Sequence, residues 1–131
     1  MKAQDLRLMN LVEYPNWNND GSKAYFKIRD IYFENGKIGL TNGIIQIPST
    51  NLEYLKPIPL TEEILANWCG AKEVKSKSGV MKCFKLHGVK LEFSMSGNTY
   101  ISQSRKLIPY LHKLQNYFFE VKDIELTLNH P

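Results

Sequence analysis

Val89-Lys90-Leu91-Glu92-Phe93-Ser94-Met95 alternates apolar and polar side chains without a break. A period of two places Val89, Leu91, Phe93 and Met95 on one face of an extended strand and Lys90, Glu92 and Ser94 on the other, which predicts a half-buried β-strand. Gly88 precedes this run and Gly97-Asn98 follows it, and both supply the turn chemistry that reverses a chain. Strands over 80–87, 89–95 and 99–103 are therefore expected to form an antiparallel meander. Ser76-Lys77-Ser78-Gly79 reads as a further turn ahead of it.

Helical signals flank the meander. Upstream, Thr61 is suited to cap a helix, because its hydroxyl accepts from an amide that has no partner in the first turn. Glu62 and Glu63 would occupy that first turn, where the helix dipole favours negative charge. Leu60 and Leu65 have the spacing of a hydrophobic staple, and Gly70 is a natural terminator. Downstream, Pro109 suits the start of a second helix. From there Leu111, Leu114, Phe118 and Val121 recur at spacings of three and four, as a buried stripe does. Leu107 and Ile108 are assigned to the preceding strand, and Ile124 to Leu128 to an added edge strand.

The first 58 residues read as short strands. Leu11 to Tyr14 ends at Pro15, and a turn-rich Asn-Trp-Asn-Asn-Asp-Gly loop follows. Over 24–31, Ala24, Phe26 and Ile28 share one face, with Tyr25, Lys27 and Arg29 on the other. Asn35-Gly36 and Asn42-Gly43 are hairpin dipeptides flanking Lys37 to Leu40. Ile44 to Ile47 is expected to stop at Pro48, with Leu52 to Leu55 closing the set. The expected fold is α+β: an N-terminal small SH3-like β-barrel or meander over 1–58, then a lobe over 59–131. That second lobe would hold a helix, an antiparallel β-meander and a C-terminal helix, the two lobes packing as one unit.

The 131 residues suit one domain or two small lobes, and 43% hydrophobic with 23% charged residues is an ordinary globular balance. No apolar run approaches the roughly 18–20 residues that cross a bilayer, and the opening residues lack the apolar core of a secretory signal. Cys69 and Cys83 match neither a disulfide framework nor a zinc spacing, so both read as reduced core thiols. A cytoplasmic, bacterial setting with no membrane partner is expected. The net charge of +4 is uneven. Residues 1–66 hold 7 Lys and Arg against 8 Asp and Glu, whereas residues 67–131 hold 10 against 5. Lys72, Lys75, Lys77, Lys82, Lys85 and Lys90 carry the excess, with Glu73 the one acid among them.

Chemistry-bearing constellations are sparse. Cys83 and His87 would share a strand face but stand about 13 Å apart at 3.3 Å per residue, beyond the reach of a nucleophile–base pair. His87, His112 and His130 have no ligand partner at metal-site spacing, so neither metal nor cofactor is expected. His112, Gln115 and Asn116 share a helix face. They form either a hydrogen-bonding surface for a partner or a tie to a neighbouring strand's backbone. The lysine run is either a phosphate-binding surface or a set of solvated strand lysines that discourage edge pairing. Arginine is scarce, and no RNA-binding aromatic motif or helix-turn-helix accompanies the lysines. Tyr14, Trp17 and Tyr25 offer an aromatic platform or ordinary core and rim packing.

Three segments carry a resemblance. Lys2-Ala3-Gln4-Asp5-Leu6-Arg7 with Asn10-Leu11-Val12, Pro57-Ile58-Pro59-Leu60-Thr61-Glu62-Glu63, and His112-Lys113-Leu114-Gln115-Asn116-Tyr117-Phe118 together resemble an uncharacterised family of small prophage and mobile-element proteins of Bacteroides-type gut bacteria. Leu8-Met9 stands where that family usually has a turn-forming Ile-Gly. The resemblance implies a phage or mobile-element context and no reaction. The resulting expectation is a non-enzymatic interaction module that binds protein or nucleic acid. A small hydrolase or nuclease assembled in three dimensions, and a structural phage component, are the alternatives.

Overall fold

Alternation in the sequence becomes strand pairing in two separate sheets. The computed structural model describes residues 1–18, 22–32, 34–75 and 81–131. Among them, eight strands form two antiparallel sheets of four, and one α-helix, α1 (Leu111–Lys122), lies near the C-terminus. The chain divides into one unit of Met1–Ile58 with Leu111–Asn116, and another of Pro59–Tyr110 with Tyr117–Pro131.

The first unit holds β1 (Leu11–Glu13), β2 (Tyr25–Tyr32), β3 (Lys37–Thr41) and β4 (Gln46–Asn51), paired in that order. Ala24, Phe26 and Ile28 face inward, as their spacing predicts, and join Leu6, Val12, Ile38, Leu40 and Leu55 in the core. Each fully buried Phe or Ile side chain contributes about 1.5–3 kcal/mol. The expected barrel is not formed. The segment meant to close it, Leu52–Tyr54, winds into a 3-10 turn instead. Chain pairing then returns to β1 through a single bridge, Glu13 with Lys56. Pro57 follows at once, has no N–H to donate and restricts Lys56, so the bridge cannot lengthen into a ladder.

Pro48 does not end its strand as expected. β4 is an edge strand, and the register between β3 and β4 shifts where Pro48 sits, from Leu40 opposite Ile47 to Ile38 opposite Thr50. An edge bulge is where a sheet tolerates proline. Gly39 lies at the same irregularity. A Cβ there would stand 3.0 Å from Asp30 Oδ2 and 3.1 Å from the Pro48 carbonyl oxygen.

In the second unit the expected short helix after Thr61 forms over 62–68, with Ile64–Trp68 wound as a π-helix. Thr61 Oγ1 accepts from the Ile64 amide at 3.2 Å, as its capping role requires. Gly70, at φ +75°, ends the segment, while Cys69 N donates to Ile64 O and Ala71 N to Leu65 O. The chain then builds β5 (Lys72–Val74), β6 (Lys82–Leu86), β7 (Val89–Phe93) and β8 (Thr99–Ile101), again paired in sequence order. The arrangement is thus two four-stranded sheets with one C-terminal helix, not barrel, helix, meander and helix.

His87-Gly88 joins β6 to β7 with φ values of 47° and 81°. That pair of positive angles is the twist-matched two-residue hairpin turn. β7 stops two residues earlier than expected because Ser94 enters the next turn, accepting from Gly97 N and donating its own N–H to Asn98 O. Met95 consequently projects into solvent. The expected turn over 76–79 lies outside the described residues. Ile124 to Leu128 forms no strand, and Val121 is exposed rather than part of the buried stripe. α1 ends at Asp123, which takes the left-handed conformation (φ 55°) and lets Ile124 N reach Phe118 O.

Candidate functional site

The expected residues fall into two groups. His112, Gln115 and Asn116 lie in the first unit, and the described lysines lie in the second.

Gln115 is buried, and its amide is spent on the backbone that starts β1. Its Oε1 accepts from Leu11 N at 2.9 Å, and its Nε2 donates to Met9 O at 3.2 Å. Asn116 donates to Asp5 O at 2.8 Å and accepts from Asn10 Nδ2 at 2.9 Å, while Asn10 Oδ1 accepts from Arg7 N at 2.8 Å. These bonds hold a turn in which Met9 sits at φ +75°. A non-glycine residue there needs such support, because its Cβ crowds the backbone. His112 is also buried, and burial pushes its imidazole down to about 4, with Lys113 adding to the shift and Asp5 opposing it. It is therefore neutral at physiological pH. Both amides are structural ties in their geometry: Gln115 bonds the backbone at Met9 and Leu11, and Asn116 bonds the Asp5 backbone and the Asn10 side chain.

The thiols and early aromatics are equally committed. Cys69 and Cys83 are buried, and burial raises the Cys69 thiol to about 12. His87 stands in the hairpin turn, its ring edge-on to Phe118 at 5.9 Å. Tyr14 and Trp17 pack against Phe26 at centroid distances of 6.2 and 5.6 Å. Among the described residues no cluster of His, Cys, Asp and Glu could hold a metal ion.

The lysines form a different kind of arrangement. Lys72 on β5 is directly opposite Lys85 on β6, and Lys85 is directly opposite Lys90 on β7. Cross-strand partners share a face, so three ammonium groups line up across three strands. At about 4.8 Å between strands, this row spans about 10 Å. Among the described residues no carboxylate pairs with Lys72, Lys85 or Lys90. Glu92, on the same face of β7, accepts from Ser102 Oγ at 3.0 Å and forms an ion pair with Arg105 at 3.5 Å. Lys75 is exposed just beyond β5. Lys82 lies on the opposite face, its ammonium 3.1 Å from Glu62, which raises its pKa. Lys77 lies outside the described residues.

Edge protection explains only part of this row. β5 is an edge strand, so Lys72 and Lys75 can discourage pairing with another chain. β6 and β7 are interior strands with both neighbours in place, and an edge has nothing to gain from Lys85 or Lys90. Like charges directly opposed across a ladder destabilise it, so the row acts against the sheet that carries it.

A cavity of about 260 Å³ opens beside the Lys90 end of the row, lined by Gly88, Val89, Lys90, Ile101, Ser102, Gln103, Tyr117 and Lys122. Sequence reasoning missed this site. Its residues come from the β6–β7 turn, β7, the segment after β8 and the far half of α1, and nothing in their spacing links them. Only Lys90 carried a prior signal. Comparison with known proteins brings no relative to the chain: no family model, curated protein or solved structure matches it.

Proposed function

We propose that the protein is a non-enzymatic binding module that holds nucleic acid by its phosphates across the Lys72–Lys85–Lys90 row. The single observation that carries this reading is the direct opposition of three lysines on one sheet face, two of them on interior strands, with no carboxylate to neutralise them among the described residues. A polyanion removes the mutual repulsion on binding, and releases its own counterions as it does so. A strand of B-DNA rises about 3.4 Å per nucleotide, so the row of about 10 Å meets about three of them. The absence of base-reading arginines in the row accords with backbone binding of low sequence preference. A phage or mobile-element setting, drawn from the resemblance of the Asp5–Asn10, Pro57–Glu63 and His112–Phe118 segments, is part of the same proposal.

The test uses Lys85→Glu. Lys85 is exposed, and a glutamate there would sit between Lys72 and Lys90, converting two repulsive pairs into attractive ones. The variant is expected to fold as well as the parent or better while losing most affinity for labelled single- and double-stranded oligonucleotides in anisotropy titrations. For the parent, the logarithmic salt slope is expected near about −2 for single strands and about −2.7 for duplexes. Binding of equal strength by parent and variant would sink the proposal. So would a parent that binds neither form at low salt, which would leave a protein partner as the reading to pursue.

A further inference from the structure

The cavity at the end of the lysine row has the lining of an anion subsite. Lys90 and Lys122 supply two ammonium groups, Gln103 a side-chain amide and Tyr117 a phenol, while Val89 and Ile101 provide apolar wall; no carboxylate lines it. The carboxylate that Ser102 touches, Glu92, is already engaged by the Ser102 hydroxyl and by Arg105. Lys122 stands in the last turn of α1, where the helix end carries partial negative charge. That partial charge alone would repel an anion, so Lys122 is the residue that makes this end of the cavity hospitable to one. At about 260 Å³ the space falls just under the lower bound of about 300 Å³ for drug-sized sites, room for one small phosphorylated group and not for a stretch of chain.

We infer that this cavity binds a phosphate monoester borne on a mononucleotide-sized group, with the phosphate between Lys90 and Lys122 and the aromatic ring of Tyr117 available to the sugar or base. A monoester differs from the internal diester of a nucleic acid in carrying close to two negative charges at neutral pH, which two lysines in the lining of one cavity favour. Aromatic side chains are tolerant partners for any base. The inference rests on the lysine-row reading in one respect: Lys90 belongs to both, so a bound chain could lead its phosphorylated end into the cavity. A free nucleoside monophosphate carries the same chemistry.

The experiment compares three probes on the parent and on Lys122→Ala: an oligonucleotide with a 5′- or 3′-terminal phosphate, the same oligonucleotide with hydroxyl ends, and a free nucleoside 5′-monophosphate, the last followed by calorimetry and amide chemical shifts of Gly88, Ser102 and Gln103. Expected is about tenfold tighter binding of a phosphorylated than a hydroxyl end, reduced to less than about twofold in Lys122→Ala with the affinity for hydroxyl-ended chain retained. Preference for the phosphorylated oligonucleotide without binding of the free nucleotide identifies a chain end as the source. Binding of the free nucleotide, lost in Lys122→Ala, identifies a small ligand. Equal affinity for all ends with no free-nucleotide binding overturns the cavity assignment and leaves the lysine row standing. An end preference that survives Lys122→Ala also overturns it. Failure of every probe overturns both. Gln103→Ala, at an exposed position after β8, gives a second variant that leaves the helix intact and is expected to weaken the same preference.

Discussion

Gln115 offers the sharpest test of how the first unit is held. It is buried, with Leu11 N donating to its Oε1 at 2.9 Å and its Nε2 donating to Met9 O at 3.2 Å. Replacing it with methionine keeps the volume and removes both bonds. Leu11 is fully buried, so its amide would be orphaned at a cost of about 1–3 kcal/mol, with the lost Met9 bond adding about 1 kcal/mol. A chain of this length loses about 3–4 °C of melting temperature per kcal/mol, so Gln115→Met is expected to melt about 6–16 °C lower. Gln115→Glu then separates the bonds from the burial. One carboxyl oxygen can still accept from Leu11 N, but the other faces a carbonyl oxygen and can bond to it only when protonated. The native carboxyl is therefore raised above its usual value of about 4.3, by burial and by this hydrogen bond to the neutral form. Where the native state binds more protons than the unfolded one, stability falls as pH rises. Relative to the parent at each pH, Gln115→Glu should be close to neutral at pH 4 and become destabilised as pH rises through the native pKa. Urea unfolding at several pH values, followed by intrinsic fluorescence, measures both, since Trp17 lies against Phe26 in the same unit. A Gln115→Met variant within about 0.5 kcal/mol of the parent, together with a pH-independent Gln115→Glu, would refute the reasoning.

Three further outcomes follow from other sites. His112 is lowered from 6.5 to about 4 by burial, so the unfolded chain binds the extra proton between those values. Its contribution is fully present above pH 6.5 and is lost as pH falls toward 4, amounting to about 3 kcal/mol; His112→Phe should flatten that acid limb in urea titrations. Gly39→Ala should lower stability by about 1–2 kcal/mol, because the new Cβ meets the Pro48 carbonyl as well as the movable Asp30 side chain; thermal denaturation at or above the parent value would contradict this. Both cysteines should resist a thiol reagent in the native protein and react fully in denaturant, since each is buried and the Cys69 thiol is held neutral by a pKa of about 12.

Local periodicity and turn chemistry were legible wherever the cause was local. The alternation of Val89 to Phe93 and of Ala24 to Ile28, the cap at Thr61, the positive φ at Gly36, Gly43, Gly70 and Gly88, and the helix after Pro109 all depend on residues within a few positions of one another. The closure of the first sheet was not legible in the same way. Leu52–Tyr54 has the apolar content of a strand, yet it turns, and Pro57 prevents the chain from repairing the gap. Val121 has helical spacing and is exposed, because spacing marks a face of the helix but not how far along it the cover extends. Met9 adopts a left-handed conformation that its own residue type disfavours, and the bonds that hold it there include those from Gln115 and Asn116, more than a hundred positions away.

The lysine excess was visible in the composition, but composition could not say that Lys72, Lys85 and Lys90 stand directly opposite one another. Register decides that, and a shift of one residue would turn Lys85 to the other face. The cavity beside Lys90 is further still from the sequence, since Gly88, Gln103, Tyr117 and Lys122 meet only when α1 and the second sheet have folded. By itself the sequence determined the periods, the turns and the sign of the charge, which are set by bonded neighbours and residue type. Tertiary structure alone decided which charges face one another and which distant side chains share a cavity, because those are properties of register and packing between segments that the chain does not join locally.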